Sequence, residues 1–263
     1  MTMALARTEP VARQSAGQLG KAAPQSCAEC PIRHKSVCGI LPPDRLRQIE
    51  QMRAARRLRR DEPIAWQGDA GRYLAVVRSG IVKLSASTAR GTQLIVGLAF
   101  PGTLVGRAVG EGAGYDIDPV GEAEICLLPR HGFDALARDY PPLGHALLEL
   151  AFSDLDELRK WMGILGTTSA GARLAKFLLH LAETFGIATP VQGQRFIDVP
   201  FSRQQIGDLL GMNIETVSRQ FTVMRNEGLL TSPNRFDLLI RDMDALRGLC
   251  QSKRTTSVLG QRG

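Results

Sequence analysis

The chain has 263 residues, 44% of them apolar, and a formal net charge of +7 at pH 7. A chain of this length and composition can bury a sizeable core and suits about two domains with appendages. No stretch approaches the roughly 18 consecutive apolar residues of a membrane span, and the N-terminus lacks the apolar segment of a signal peptide. We therefore expect a cytoplasmic protein without membrane contact, whose five cysteines serve metal or redox chemistry and do not form disulfides.

Three cysteines cluster near the N-terminus. The 26 residues before them are rich in Ala, Gln, Gly and Ser, show no sustained periodicity and are predicted to form a mobile tail. The cysteines stand at positions 27, 30 and 38, with Pro31 and Gly39 as turn formers. Thiolates are soft ligands, and a loop with this spacing can wrap three sulfurs around one inorganic core. The pattern predicts a metal centre that needs a fourth ligand.

The fourth ligand is either Cys126 or Cys250, and the pattern of the chain favours Cys126. That residue lies in the apolar run 123–128, where an isolated cysteine is most often a small buried hydrophobe. A structural zinc site more often uses two close cysteine pairs, so an iron-sulfur cluster is the preferred interpretation. Thiol redox catalysis by Cys27 and Cys30 is an alternative, but the thioredoxin-like βαβ setting is missing.

Residues 44–60 predict a helix with Leu46, Ile49 and Met52 on its apolar side. The second half of this segment carries five arginines, at positions 53, 56, 57, 59 and 60. Such a run is usually a solvated face, but it could also screen a negatively charged cluster or bind a partner. The sequence does not choose between these roles.

Between Pro63 and Pro129 the pattern changes to short apolar runs separated by glycines. Antiparallel strands of a sandwich or roll are typical of this pattern. The predicted strands cover residues 73–77, 81–84, 94–100 and 123–128. The glycine-rich stretch 102–114 lacks a P-loop or dinucleotide fingerprint, so we interpret its glycines as turns.

A long helix is predicted from Asp139 to about Thr167, with proline in its first turn. One set of its apolar residues recurs at spacings of 3, 4, 3, 4 and 3. This heptad seam consists of Leu148, Ala151, Leu155, Leu158, Met162 and Leu165. The seam either packs on the β domain or, as we favour, forms a parallel homodimer, with Asp154 and Arg159 placed for an interchain pair.

The C-terminal third contains a helix-turn-helix. Ser202 and Asn213 are good N-caps for its two helices, Gly211 suits the positive φ of the turn, and Gly207 allows close approach. The inner face of the second helix consists of Val217, Phe221 and Met224. Its outer face, here called the reading face, consists of Ile214, Glu215, Ser218 and Arg219. An arginine can fork onto guanine and a glutamate can accept from cytosine, so this face predicts base reading in the major groove.

The helix-turn-helix is framed by further elements. A hinge near residues 167–171 precedes a helix from Ala172 to Phe185. Residues 195–199 and 229–240 predict the strands of a wing, with a turn at residues 232–235. Asp242 caps a last helix, and the tail beyond Lys253 is predicted to be disordered.

From about residue 27 to residue 250, this order of elements resembles the CRP/FNR superfamily of bacterial transcription regulators. The resemblance rests on a Gly68-Asp69 turn, the run from Val77 to Leu84, a Pro-Gly turn, the long helix and the winged helix-turn-helix. It implies an α+β fold with an N-terminal β-roll of the cyclic-nucleotide-binding type, a double-stranded β-helix. The implied segments are a tail (1–26), cluster-binding loop (27–44), sensory β-roll (45–138), dimerisation helix (139–168), DNA-binding domain (169–252) and second tail (253–263).

The cysteines and the reading face look like the FNR branch, the fumarate and nitrate reduction regulators. This resemblance implies a non-enzymatic activator that binds double-stranded DNA as a homodimer, contacts RNA polymerase and senses oxygen. It implies a [4Fe-4S] cluster on Cys27, Cys30, Cys38 and Cys126 that supports dimerisation and DNA binding without oxygen. By the same resemblance, Glu215, Ser218 and Arg219 would read half-sites like TTGAT.

Three features depart from the family pattern. The gap between Cys30 and Cys38 is longer than in the shortest family version. Leu158 is apolar where some relatives place a charge, so oxygen is expected to reorient the DNA-binding domains more than to split the dimer. Residues 114–119 are acidic and are expected to repel the phosphate of a cyclic nucleotide. The alternative function is a regulator of the same fold that lacks the iron-sulfur cluster and responds to a small ligand or thiol oxidation.

A [4Fe-4S] core of charge 2+ with four thiolates leaves about two net negative charges. Arg33 and Lys35, which lie inside the cysteine loop, are predicted to offset part of this charge.

Overall fold

The computed structural model divides into two compact units, residues 1–156 and 157–263. It describes residues 26–87, 93–107, 112–167, 169–232 and 237–251. The two predicted tails, apart from residue 26, and most of the predicted wing turn lie outside these ranges. No helix in the described ranges is both long and apolar enough to cross a membrane.

The N-terminal unit begins with three short 3₁₀ turns, here called the cysteine turns, at Cys27–Glu29, Arg33–Lys35 and Val37–Ile40. Helix α1 is Pro43–Met52. The strands are β1 (Ala54–Leu58), β2 (Tyr73–Ser79), β3 (Val82–Ser87), β4 (Gln93–Ala99), β5 (Leu104–Val105), β6 (Asp116–Pro119) and β7 (Ala123–Pro129). Helices α2 (Arg130–Asp139) and α3 (Pro141–Leu165) follow, and the boundary between the two units falls within α3, after residue 156.

Two antiparallel sheets form the predicted β-roll. One has the strand order β1-β7-β2-β5 and the other β4-β3-β6. Successive side chains of a strand point to opposite faces, and β2 uses both. Leu74 and Val76 join a core with α1, α2, α3 and the cysteine turns, while Ala75 and Val77 join a second core with β3 and β6. The strand predictions are confirmed for this unit.

The helix predicted over residues 44–60 is wrong in its second half. Helix α1 ends at Met52, Arg53 is extended, and the next five residues form β1, which pairs with β7. Arginine and alanine favour helices, but strand pairing and the burial of Leu58 override this weak preference. Helix α2 was not predicted; it buries Phe133 and Leu136.

The C-terminal unit contains the predicted winged helix-turn-helix. Its elements are α4 (Ala170–Phe185), β8 (Ile187–Ala188), β9 (Arg195–Asp198), α5 (Arg203–Leu210), α6 (Ile214–Asn226), β10 (Leu230–Thr231), β11 (Asp237–Ile240) and α7 (Met243–Gln251). The strands form one sheet in the order β10-β11-β9-β8. Ser169 caps α4, and the Asp242 carboxylate accepts from Ala245 N at 2.8 Å, which confirms the predicted cap of the last helix.

Candidate functional site

Short-range contacts fix the two helices of the helix-turn-helix. Ser202 Oγ accepts from Gln205 N at 3.1 Å, and Gln205 Oε1 accepts from Ser202 N at 2.9 Å, which completes a capping box at the start of α5. Gly211 ends α5 with φ of +62°, in the left-handed region. Asn213 Oδ1 then accepts from Thr216 N at 2.8 Å and caps α6. The predicted caps and turn are therefore confirmed.

Gly207 lets the turn close against α5. A Cβ at this position would lie 2.5 Å from Met212 O, closer than real Cβ contacts allow. The predicted close approach is thus to the backbone of the turn that leads into α6. Glycine is required there for space, since its φ is not positive.

The two faces of α6 differ in burial as predicted. Val217, Phe221 and Met224 are at most 1% exposed. The four residues of the reading face are all exposed, and Glu215 and Arg219 stand one turn apart on it. The structure thus presents a glutamate and an arginine, whose side chains suit cytosine and guanine edges, on an open helix face.

Two arginines that support this motif were not predicted. Arg173 of α4 donates from one guanidinium nitrogen to Leu210 O at 2.7 Å and from another to Thr167 O at 2.9 Å, so it satisfies the carbonyl end of α5. Arg203 stacks on Phe221, with its guanidinium carbon 3.3 Å from the ring centroid. Burial, together with nearby Arg225, lowers the pKa of Arg203 to about 10, so it stays charged at neutral pH. Neither arginine carried a sequence signal beyond its charge.

A second candidate site lies in the N-terminal unit. One cavity, here called the cysteine cavity, is lined by Cys27, Cys30, Cys38 and Cys126. The structure therefore brings the four predicted ligands together. Cys250 lies in α7 of the other unit, where its Sγ is 3.5 Å from Leu246 O. Apolar walls are supplied by Ile32, Ile49 and Val76.

Local contacts position the cysteines. Ser26 Oγ accepts from Ala28 N at 3.2 Å at the first cysteine turn, and Ser36 Oγ accepts from Cys38 N at 3.3 Å at the third. Cys126 belongs to β7, where Val76 of β2 is its register partner. The site is thus assembled by packing the cysteine turns against the sheet.

Burial opposes ionisation of these thiols. It raises the pKa of Cys126 to about 12 and that of Cys38 to about 11, and neighbouring thiols add to both shifts. Burial also raises the pKa of Cys27, although Arg53 opposes the shift. Cys38 and Cys126 will ionise near neutral pH only if strong positive charge is bound beside them, and a metal centre provides such charge.

The donor arrangement bears on the kind of metal centre. In the described ranges, no group of three or more His, Cys, Asp or Glu side chains is arranged to hold a single metal ion. A structural zinc needs four ligands converging at about 2.0–2.3 Å on one centre. A [4Fe-4S] cluster instead takes four cysteine thiolates around a polynuclear core. Four cysteines that line one cavity supply the number and type of donors that such a cluster takes.

Comparison with known proteins places the chain in a family. Residues 172–249 match the Crp-like helix-turn-helix domain, and residues 55–140 match the cyclic nucleotide-binding domain. A probable transcriptional activator of Rhizobium leguminosarum bv. viciae is 34% identical over 223 residues, which cover 85% of this chain and 92% of that one. The chain belongs to the CRP/FNR family of transcription regulators.

Two further comparisons agree with this assignment. The transcriptional activator protein FnrL of Cereibacter sphaeroides is 29% identical to this CRP/FNR regulator over 222 residues, 84% of this chain and 90% of that one. The structure of FixK2 from Bradyrhizobium japonicum superposes with a TM-score of 0.68 at 24% identity, covering 77% of this chain and 99% of that one. The predicted fold class is therefore confirmed, and the protein is a DNA-binding regulator of transcription.

The positive charges of this CRP/FNR regulator are not distributed around the cysteine cavity as predicted. A terminal guanidinium nitrogen of Arg33 donates to Leu41 O at 3.2 Å, and Lys35 packs against the turn at Gly102. Neither lines the cavity; Arg53 and Arg78 do. The charge of Arg33 nevertheless counteracts the rise that burial causes in the pKa of Cys38, so the predicted offset is supported for Arg33, and Arg53 and Arg78 add positive charge from the cavity lining.

The heptad seam of α3 is exposed along its whole length. Met162 is the most exposed of its large side chains, at 71%. The other members, Leu148, Ala151, Leu155, Leu158 and Leu165, are exposed as well. Within the N-terminal unit, Leu148 and Leu155 of the seam are therefore not packed on the β domain. Contiguous exposed apolar surface of this kind marks an interaction site.

The β-roll contains a further cavity of about 420 Å³, lined by Gly68, Arg72, Gly106 and neighbouring residues. From residues 114–119, Ile117 lines it but the two aspartates do not. Asp116 accepts from Gln67 N at 2.7 Å, and Asp118 pairs with Lys83. The predicted repulsion of a phosphate by these carboxylates therefore does not arise from the cavity lining.

Proposed function

We propose that this regulator senses oxygen through a [4Fe-4S] cluster held by its four cysteine-cavity thiolates. One observation carries the proposal: cysteines from the N-terminal turns and from distant strand β7 line the same cavity. The raised thiol pKa values support it, because the thiolate form then depends on a bound positive core. When bound, the cluster would supply an inorganic iron and sulfide core that oxygen can attack.

The chain's own residues would link the cavity to the dimerisation helix. Val37 and Leu41 of the cysteine turns belong to the same core as Leu143 of α3, and Leu147 packs against that core. When the thiolates are held, the turns are tethered and this packing is fixed. When they are released, the turns are free to move and α3 can shift between two arrangements.

The exposed seam supports a parallel homodimer through α3, which places two reading faces on the two half-sites of a palindrome. We propose TTGAT-type half-sites on double-stranded DNA, with Arg219 on guanine and Glu215 on the cytosine side. Activation through contact with RNA polymerase, without enzymatic activity, completes the proposal.

Oxygen-dependent DNA binding tests the sensor. Parent protein prepared without oxygen should bind a TTGAT palindrome tightly and lose affinity in air, whereas Cys30→Ser should bind weakly in both conditions because one thiolate is missing. Fluorescence anisotropy on labelled DNA measures both affinities. Cys250→Ser, outside the cavity, is the matched control and should behave like the parent. A Cys30→Ser protein with the parent's oxygen-dependent affinity would contradict the proposal.

The β-roll cavity supports a second candidate, a regulator of the same fold that responds to a small ligand. Its volume of about 420 Å³ falls within the range of small-molecule sites. The colour of protein prepared without oxygen, and its DNA affinity after air is admitted, distinguish the two candidates. Protein that is colourless as prepared and keeps full DNA affinity in air would favour the ligand-responsive regulator over the oxygen sensor.

A further inference from the structure

We infer that Arg53 is a positioning residue of the cysteine cavity, where its guanidinium holds the Cys27 thiolate and slows the loss of iron from the site. The inference rests on the proposed function, since it assumes a cluster on these thiolates. Arg53 is not a ligand; it acts through the sulfur of a ligand.

The backbone conformation at the end of α1 places the Arg53 side chain in the cavity lining. Its N–H closes the last turn of α1 on Ile49 O at 2.9 Å, and its φ and ψ of −76° and 152° then turn the chain into β1. Its side chain lines the cavity, where Nε donates to Cys27 Sγ at 3.1 Å. This position exists because the helix ends at Met52.

Two other arginines of the run have different partners. Arg56 pairs with Glu62 at 2.6 Å, and Arg57 pairs with Glu124 at 2.6 Å. Neither lines the cysteine cavity. The sequence left open whether this arginine run is solvated, screens a cluster or binds a partner. Within the run, Arg53 is the arginine that lines the cysteine cavity, so we assign charge screening to it.

Glu50 of α1 and Arg53, the residue directly after that helix, hold Cys27 at two atoms. Glu50 Oε1 accepts from Cys27 N at 3.0 Å, and Arg53 donates to its sulfur from a position three residues further along. Arg78 also lines the cavity, and its guanidinium forms an ion pair with Glu124 at 3.9 Å. Arg53 thus combines a positive charge with a direct hydrogen bond to a ligand sulfur.

The hydrogen bond from Arg53 to Cys27 Sγ should stabilise a cluster because of the negative charge that such a cluster carries. Four thiolates on a 2+ core leave about two net negative charges, and hydrogen bonds to the sulfurs and local charge are among the factors that set cluster properties. Hydrogen bonds involving a charged group are stronger than neutral ones. Removal of Arg53 should therefore weaken the hold of Cys27 on its iron.

The experiment compares full-length parent protein with Arg53→Gln, Arg53→Lys and Arg47→Gln. Each is loaded with iron and sulfide without oxygen and mixed with a ferrous chelator under the same atmosphere. The readout is the rate of iron transfer, followed by the loss of visible absorbance. Circular dichroism checks that each variant is folded. Arg47 is exposed on α1, so Arg47→Gln removes the same charge from the same helix away from the cavity.

We expect Arg53→Gln to lose iron about tenfold faster than the parent, the effect of one charged hydrogen bond. Arg53→Lys should lie between them because it keeps the charge but not the Nε contact, and Arg47→Gln should match the parent. Equal rates for Arg53→Gln and Arg47→Gln on cluster-bearing proteins would overturn this inference alone. A parent that takes up no iron would overturn the proposed function, and this inference with it.

Discussion

The helix-turn-helix and the cysteine cavity contrast in how the chain encodes them. The first is fixed by caps and glycines between Ser202 and Asn226, each acting on residues a few positions away. The second joins turns near the N-terminus to strand β7 and takes its arginines from the end of α1 and from β2. The helix-turn-helix positions its reading face through contacts between residues close in sequence, whereas the cavity depends on packing between segments that are far apart in sequence.

Removal of a buried side chain from the helix-turn-helix core should cause the greatest loss of stability. Phe221 is 1% exposed beneath the reading face, so Phe221→Ala should cost about 3–5 kcal/mol of unfolding free energy in the C-terminal unit. Denaturant titration of the full chain measures this loss. The variant should still take up iron as the parent does. Loss of iron uptake in folded Phe221→Ala would show that the two regions are not encoded separately.

The seam of α3 should be the next most sensitive element. Leu158→Asp places an unpaired carboxylate in an apolar dimer contact, which we expect to weaken dimerisation by about 2–3 kcal/mol, or tens to a hundredfold. Analytical ultracentrifugation of the anaerobic protein measures the dissociation constant. Ser153→Asp adds the same charge on the opposite side of the helix and should leave the dimer intact. If both variants dimerise like the parent, the seam is not the interface.

Base reading is tested on the exposed face of α6. Arg219→Ala should cost about 1–3 kcal/mol on a TTGAT palindrome and little on scrambled DNA, because base contacts carry the sequence information. Arg225→Ala, on the last turn of the same helix, should not change the ratio of the two affinities. Binding titrations on both DNAs give that ratio. Equal losses on cognate and scrambled DNA would remove Arg219 from the reading face.

A single added methyl group at the turn of the helix-turn-helix should have a smaller effect on stability. Gly207→Ala should destabilise the C-terminal unit by about 1–2 kcal/mol, because its Cβ would meet the backbone at Met212. Gly248→Ala in α7 meets nothing within 4 Å and should stabilise by about 0.5–1 kcal/mol. Thermal unfolding compares the two. A neutral Gly207→Ala would show that the turn tolerates a wider separation from α5.

The same contrast explains which features the sequence could predict. Ser202, Gly211 and Asn213 act through neighbours in sequence, so the order of residues alone is enough to assign their roles. The cysteines were predictable as soft ligands and the arginine run as a candidate charge screen, but which arginine reaches a ligand sulfur was not. Arg33 and Lys35 lie between the ligands in sequence, yet Arg33 donates to Leu41 O, while Arg53 reaches Cys27 because α1 ends at Met52 and β1 pairs with β7. Helix propensity alone predicts that the helix continues past Arg53, whereas the pairing of β1 with β7 ends it at Met52.

In the proposed function, four cysteines hold an oxygen-labile iron-sulfur cluster that controls DNA binding. The most direct measurement is the iron and sulfide content and visible spectrum of anaerobically purified protein, recorded together with affinity for a TTGAT palindrome before and after air is admitted. We expect brown protein with about four irons and four sulfides per chain, which bleaches in air as the DNA affinity falls. Colourless, iron-free protein whose DNA affinity is the same with and without air would contradict the claim.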